Sequence, residues 1–369
     1  MNIKFNYKKI TILLPDLNGG GAEKNFVILA NYWSENNINV EFLLLKKRGV
    51  LLKYLNKEIR VIDLNISKIR YSFFKLIKYF VNTNSDIILV SLWPLTSISI
   101  LSKLFSFSKI KIILFEHQIL SKSYKNIFNQ TSFVMKLLIN ITYYFAYRLI
   151  CVSNFVKSDI ENMLTYKKKI NVIYNPSYIE NNEFIVSDSE LINMWGSNNN
   201  LKLLCVGSLK PEKDHFNLIN ALKIIKNNNR LKFKLIIFGQ GLLYNNLIKH
   251  IKNSDLENEI LIKDFQYDIS KWYSSCDIFI LPSIHEGFAN VIVEALSFKK
   301  KIISTKCGGP EEILENGKFG KLVEINNPND IADNIINHEN LKFDNSMLIN
   351  RAKEFSKEKI SDILFKTIR

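Results

Sequence analysis

The chain has 369 residues, 47% of them hydrophobic, and its 50 Lys and Arg against 35 Asp and Glu give a formal net charge of +15. That length suits two domains better than one, and that apolar content excludes intrinsic disorder. The cationic excess favours anionic partners (nucleic acid, an acidic membrane surface or phosphorylated substrates), or it is only a solvated lysine-rich surface.

Residues 1–9 lack the apolar stretch and small residues of a secretory leader, so none is expected. No uninterrupted apolar run approaches the roughly 18–20 residues that span a bilayer. The nearest, residues 133–147, is broken by Lys136 and Asn140, so an integral membrane protein is not expected. Four cysteines, Cys151, Cys205, Cys276 and Cys307, lie far apart without a Cys-x-x-Cys pair. That distribution argues against a zinc site or a disulfide framework and suits a reducing cytoplasm.

In chain order, short apolar runs at 10–14, 40–45, 61–64, 87–90, 110–115 and 149–152 alternate with amphipathic stretches such as 22–33 and 132–147. This alternation predicts a parallel sheet with helices on both faces. The first run leads through Asn18-Gly19-Gly20-Gly21 into the first helix. Glycines there let the backbone approach a phosphate, and a helix start favours negative charge. The Gly-x-Gly-x-x-Gly dinucleotide fingerprint is absent.

Residues 69–80 and 101–112 mix aromatics with cations at roughly helical spacing. Either they lie on anionic lipid, or they are core-facing helices whose lysines reach solvent. Glu116-His117-Gln118 ends the 110–115 strand, at the edge where open α/β sheets bind ligands, and the acidic neighbour favours a functional His117. Ser153 is placed to N-cap a helix over Asn154–Met163, and Asn175-Pro176 ends a short strand at 172–174. The polar stretch 180–200, with Asn181-Asn182, reads as an interdomain linker.

The alternation restarts with strands expected at 201–206, 233–238, 260–262, 278–281 and 302–304. Helices are expected at 216–226, 242–252, 289–298, 330–336, 347–355 and 357–367. The run from Ser283 through Glu286, Gly287, Phe288, Ala289 and Asn290 to Glu294 leaves a buried strand and opens a helix. Its amides near the helix start form a nest for anionic or hydroxyl oxygens. Glu286 and Glu294, eight residues apart, are either two acceptors for ligand hydroxyl pairs, or a capping carboxylate and a solvated helix residue. His215, His250 and His338 fall in or beside helices and are expected to lack partners, and His285 either lines the site or, the safer reading, is a loop histidine.

The Glu286–Glu294 segment resembles the donor-binding signature of the family-4 glycosyltransferases, which are retaining enzymes of GT-B fold. Carried over, Glu286 and the amides of Gly287, Phe288, Ala289 and Asn290 hold the donor sugar, and Glu294 binds the nucleotide ribose. The segment Val206-Gly207-Ser208-Leu209-Lys210-Pro211-Glu212-Lys213 is similar to the family's strand and loop opening the second domain, where Lys213 neutralises the donor diphosphate. The family usually carries arginine directly after that glycine, where this chain has Ser208, with Lys210 as a substitute cation. Gly239-Gln240-Gly241 resembles the turn against the nucleotide, and Cys307-Gly308-Gly309-Pro310-Glu311-Glu312 the loop that shapes the pocket. The Gly20-Gly21 loop is similar to the one that touches donor phosphates and acceptor, and His117 to the histidine that sits over the donor sugar and assists catalysis.

The resemblance implies two Rossmann-like domains with parallel sheets facing across a cleft. Residues 1–179 would be the acceptor side and 180–355 the nucleotide-sugar side, with a last helix at about 356–369 packing back on the first. It further implies transfer of a hexose or N-acetylhexosamine from a nucleoside diphosphate sugar, with UDP expected. The acceptor would be a lipid-linked oligosaccharide in bacterial O-antigen, capsule or related glycan assembly. No metal or other cofactor and no nucleic acid is expected, in agreement with the lack of an Asp-x-Asp motif. The place of action would be cytoplasmic, peripheral on the inner face of the cytoplasmic membrane. The alternatives are an NAD-dependent oxidoreductase of similar fold, a nucleic-acid-binding module suggested only by charge, and a catalytically inactive nucleotide-sugar scaffold suggested only by Ser208.

Overall fold

The structure, a computed structural model, describes residues 9–123, 132–180, 186–197, 200–228 and 231–369. Most of the 1–9 stretch therefore lies outside the described residues, as do 181–185 and 198–199 of the expected linker. The chain forms two compact units, Met1–Pro176 with Ser356–Arg369, and Ser177–Phe355.

The first unit is built on β1 (Ile10–Leu14), β2 (Val40–Leu44), β3 (Arg60–Asp63), β4 (Ile87–Ser91), β5 (Lys111–Glu116), β6 (Arg148–Cys151) and β7 (Ile170–Val172). They pair in parallel in the order β3-β2-β1-β4-β5-β6-β7. The central strands are apolar at nearly every position because helices cover both faces of a parallel sheet. Helix Gly21–Glu35 packs with the last helix, Lys357–Ile368. There the Trp33 indole N–H donates to Ser361 Oγ at 2.7 Å, and its ring lies 5.4 Å from that of Phe365. Helices Ser72–Asn82 and Leu95–Ser106 pack together, with Phe73 and Phe105 edge to face at 5.5 Å.

The second unit holds β8 (Leu201–Val206), β9 (Phe233–Phe238), β10 (Ile260–Lys263), β11 (Ile278–Leu281), β12 (Lys301–Thr305) and β13 (Lys321–Val323). Their order is β10-β9-β8-β11-β12-β13, again parallel throughout. In both sheets the order reverses beside the first strand of the unit, between β1 and β4 and between β8 and β11. At such a point successive loops diverge and open a crevice at the carboxyl edge of the sheet.

Two expectations change. The stretch 180–200 is not simply a linker, because it contains helix Asp188–Trp195, started by a capping box between Ser187 and Glu190. Trp195 is fully buried, donates to Ser275 Oγ at 3.0 Å and meets Trp272 edge to face at 5.4 Å. At the start of the second unit the Ser177 and Tyr178 amides both donate to the Phe355 carbonyl, at 3.0 and 3.1 Å. Residues 101–112 are not one helix: Phe107 ends helix Leu95–Ser106 in left-handed backbone (φ 51°), and β5 begins at Lys111.

Candidate functional site

In the second unit, β8 and β11 are neighbours at the reversal of strand order, so the loops leaving them share one edge. Lys213 stands in the first loop, at the end of the short turn Pro211–Lys213, and Glu286 in the second. Their side chains meet, the Lys213 ammonium donating to Glu286 Oε1 at 2.5 Å. The lysine side chain is 21% exposed and the carboxylate 9%. Ser283 Oγ donates to the same carboxylate oxygen at 2.7 Å. Burial alone would depress the Lys213 ammonium, but the charge and hydrogen bond of Glu286 outweigh it and hold its pKa above the ordinary value.

The surrounding backbone is pinned tightly. The Glu286 amide donates to the Cys307 carbonyl at 2.8 Å and its carbonyl accepts from the Gly309 amide at 3.1 Å. A Cβ at Gly309 would stand 2.4 Å from Phe288 Cα, and one at Gly239 only 1.9 Å from the Gly207 carbonyl oxygen. These two glycines let four loops close in two pairs, the one after β12 on that after β11 and the one after β9 on that after β8, where a side chain would hold them apart. Helix Asn290–Ser297 opens from Ala289 in left-handed backbone (φ 76°), an uncommon conformation for a residue with a Cβ. Gly287 precedes the buried Phe288, whose ring packs edge to face on Phe355 at 5.5 Å. Glu294 is buried rather than solvated, and the Tyr273 hydroxyl donates to its Oε2 at 2.9 Å.

His215 is buried and partnered, which corrects the expectation for it. Its Nε2 lies 3.3 Å from the Ser208 carbonyl and its Nδ1 3.6 Å from Cys205 Sγ. A carbonyl can only accept, so Nε2 carries the proton. Burial, partly offset by the Ser208 carbonyl, lowers its pKa to about 4. His250 and His338 are also partnered, by Asn220 Oδ1 at 2.8 Å and the Ile335 carbonyl at 2.9 Å.

In the first unit, Gly20 caps helix Gly21–Glu35 and both glycines are exposed. The Glu23 carboxylate folds over Gly20, close enough that a Cβ there would meet it at 2.3 Å. His117 follows β5, its ring 5.8 Å from that of Phe26 and 6.2 Å from that of Phe115. Both ring nitrogens are shielded from solvent, and neither has a hydrogen-bond partner among the described residues. Burial drives its pKa down to about 3, so the imidazole is neutral near pH 7. It lines a small pocket with Phe26, Phe115, Ile173, Ile360 and Leu364.

The neighbour Glu116 does not serve His117. Successive strand residues point to opposite faces, so Glu116 turns to the buried Tyr143, whose hydroxyl donates to it. Burial raises the Glu116 pKa to about 7. Gly20, Gly21 and His117 thus belong to the first unit, whereas Lys213, Gly239, Gly287 to Asn290 and Glu294 join Glu286 in the second. Sequence reasoning missed Ser283, His215 and Tyr273. Ser283 was available as a hydroxyl three residues before Glu286, whereas Tyr273 sits in a six-residue helix with no periodicity to mark it. Among the described residues no group of three His, Cys, Asp or Glu is placed to hold a metal ion.

Comparison with known proteins agrees over both units. The family described as "Glycosyltransferase Family 4" matches residues 19–177, and "Glycosyl transferases group 1" matches residues 189–355. An N-acetylgalactosamine-N,N'-diacetylbacillosaminyl-diphospho-undecaprenol 4-alpha-N-acetylgalactosaminyltransferase of Campylobacter jejuni is 30% identical over 272 residues, 72% of this chain and 71% of its own. An uncharacterised glycosyltransferase of Methanocaldococcus jannaschii is 33% identical over 235 residues, 61% of this chain and 60% of its own. The fold is similar to that of HepE from Anabaena, solved with UDP and glucose, with a TM-score of 0.81 at 23% identity over 98% of this chain and 99% of that one.

Proposed function

As the chain belongs to the group 1, family 4 glycosyltransferases, we propose that it moves a hexose or N-acetylhexosamine from a UDP-sugar to a lipid-linked oligosaccharide in bacterial surface-glycan assembly, with retention at the anomeric carbon. The observation that carries the donor half is the Lys213–Glu286 pair at the reversal of strand order. It couples a cation suited to a diphosphate with a carboxylate suited to sugar hydroxyls. Two relatives support the ligands: the Campylobacter jejuni enzyme is named for a diphospho-undecaprenol acceptor, and HepE was also solved with UDP-glucose.

In this reading the Lys213 ammonium leaves Glu286 for the diphosphate and stabilises the charge that grows on it as the bond to the sugar breaks. Glu286, released, accepts a hydroxyl of the donor sugar, and Glu294 accepts from the ribose while Tyr273 holds it in place. The amides from Gly287 to Asn290 serve the sugar, and Gly239 brings its turn against the nucleotide. The proposed chemistry needs no resident metal, since lysine and helix starts supply the positive charge. We place the enzyme at the inner face of the cytoplasmic membrane, where a lipid-linked acceptor is presented. No helix among the described residues is long and apolar enough to cross a membrane.

The test is heat protection by a panel of UDP-sugars, GDP-sugars and NADH, followed by NMR of the product's anomeric configuration on a lipid-linked acceptor. A UDP-sugar should protect, and Glu286→Ala should abolish transfer. Protection by NADH alone, or transfer with inversion, would refute the reading.

A further inference from the structure

Helix Ser132–Tyr144 is apolar on two opposite faces. One face packs inward through the buried Met135, Ile139 and Tyr143, with Thr142 donating to the Leu138 carbonyl and bonded to Ser97 Oγ at 3.0 Å. The opposite face carries Phe133, Val134, Leu137, Ile141 and Tyr144, exposed by 75, 51, 49, 46 and 62%, and Phe145 just beyond it by 45%. At helical spacing these residues form one continuous stripe about 120° wide, broader than a soluble helix ordinarily turns to water.

The surroundings of the stripe are cationic. Lys136 is exposed on the helix itself, and at its C-terminal end the ring of Tyr166 lies 5.4 Å from that of Tyr144. Lys168 donates to the Tyr144 and Ala146 carbonyls at 3.0 and 3.1 Å, between the exposed Lys167 and Lys169. From Leu64 to Ser158 the chain carries twelve lysines and arginines but only two acidic residues, Asp86 and the buried Glu116. Asp159 and Glu161, on the adjoining helix Asn154–Met163, are engaged by the Ser121 amide and by Lys157.

We propose that the outward stripe of helix Ser132–Tyr144 inserts into the interfacial layer of an anionic bilayer, with Lys136, Lys167 and Lys169 on the lipid phosphates. Apolar burial supplies the insertion, and the cations select the negatively charged leaflet. This rests on the lipid-linked acceptor of the reading above and names the element that carries the chain to it, outside the stretches 69–80 and 101–112 that the sequence singled out.

The test is co-sedimentation with phosphatidylcholine vesicles, with and without phosphatidylglycerol, in the absence of donor. The double variant Leu137→Glu, Ile141→Glu should lose roughly tenfold or more of its binding to anionic vesicles. Its melting temperature, and its transfer to a water-soluble acceptor, should match the parent's. Because an altered helix can misfold, Ile141→Trp provides a second reading: its emission should shift to the blue on anionic vesicles and be quenched by brominated lipid. Equal binding by the double variant, an unshifted tryptophan, or a parent that binds no vesicle would each overturn the proposal. So would a solution dimer that the double variant dissociates, since the stripe would then cover a second copy. Vesicle binding is read without turnover, and soluble transfer without lipid, so failure of this inference is separable from failure of the assigned activity.

Discussion

Replacing Glu286 by Gln should move two properties in opposite directions. Lys213 is held by Glu286 at 2.5 Å, with side chains only 21% and 9% exposed. At an effective dielectric of about 20 the gross attraction at that distance is roughly 7 kcal/mol, most of it offset by desolvation. A hydrogen bond to a charged partner is worth about 1.5–3 kcal/mol net, and a diphosphate must displace it to reach the ammonium. Glutamine keeps the shape and removes the competing charge. UDP should therefore bind Glu286→Gln more tightly, by up to about 1.4 kcal/mol or tenfold. Transfer should fall by about 100-fold or more, because in the proposed reading the carboxylate that meets the sugar is gone. Lys213→Met is the control, and it should weaken UDP. Calorimetric titration with UDP and initial rates at saturating donor give both numbers. If Glu286→Gln weakens UDP as much as Lys213→Met does, the pair is a structural clasp and the competition argument is wrong.

Gly239→Ala forces a Cβ to within 1.9 Å of the Gly207 carbonyl, so about 3 kcal/mol should be lost. In a unit of this size that is a fall of roughly 6–12 °C in melting temperature by differential scanning fluorimetry. His117 has its folded pKa lowered to about 3 from an ordinary 6.5, so the unfolded chain binds a proton first as pH falls. Its contribution to stability is complete above about pH 6.5 and is lost toward pH 3, and His117→Gln should flatten the acid limb of a melting-temperature profile there. Trp33→Phe keeps the ring against Phe365 but drops the bond to Ser361, costing about 1 kcal/mol, whereas Trp33→Ala should cost about 3–5 kcal/mol by circular dichroism.

The strands were legible because a buried parallel strand is a short apolar run, and those at 10–14, 201–206, 233–238 and 278–281 have the expected ends. β13 escaped because it has three residues, of which only the last, Val323, is buried, which leaves no run to see. Helix Asp188–Trp195 was hidden by an Asn-rich composition, although Ser187 and Glu190 stand at capping-box spacing. At the site, Glu286 and Lys213 could be named from local motifs. Their 2.5 Å contact could not be measured from them, since it depends on β8 and β11 being neighbours across 73 residues of chain. The same limit explains Glu116: adjacency in sequence suggested a partner for His117, whereas strand alternation sends the two side chains to opposite faces.

Ser208 stands where the resemblance would place an arginine, and its backbone serves the fold. Its carbonyl is fixed by the buried His215, whose neutral ring adds no charge to the loop. A Cβ at Gly207 would lie 3.6 Å from Lys213 Cδ, so the glycine leaves only ordinary contact distance for the lysine stem passing over it. The turn therefore orients rather than attracts, and the cation directed at Glu286 is Lys213, with Lys210 exposed nearby. If the proposed reading holds, a site with one lysine in this loop draws more of its donor affinity from the sugar and ribose contacts. In that reading those contacts fall to Glu286 and Glu294, the two carboxylates the fold buries and holds by hydroxyl donors, Ser283 for one and Tyr273 for the other.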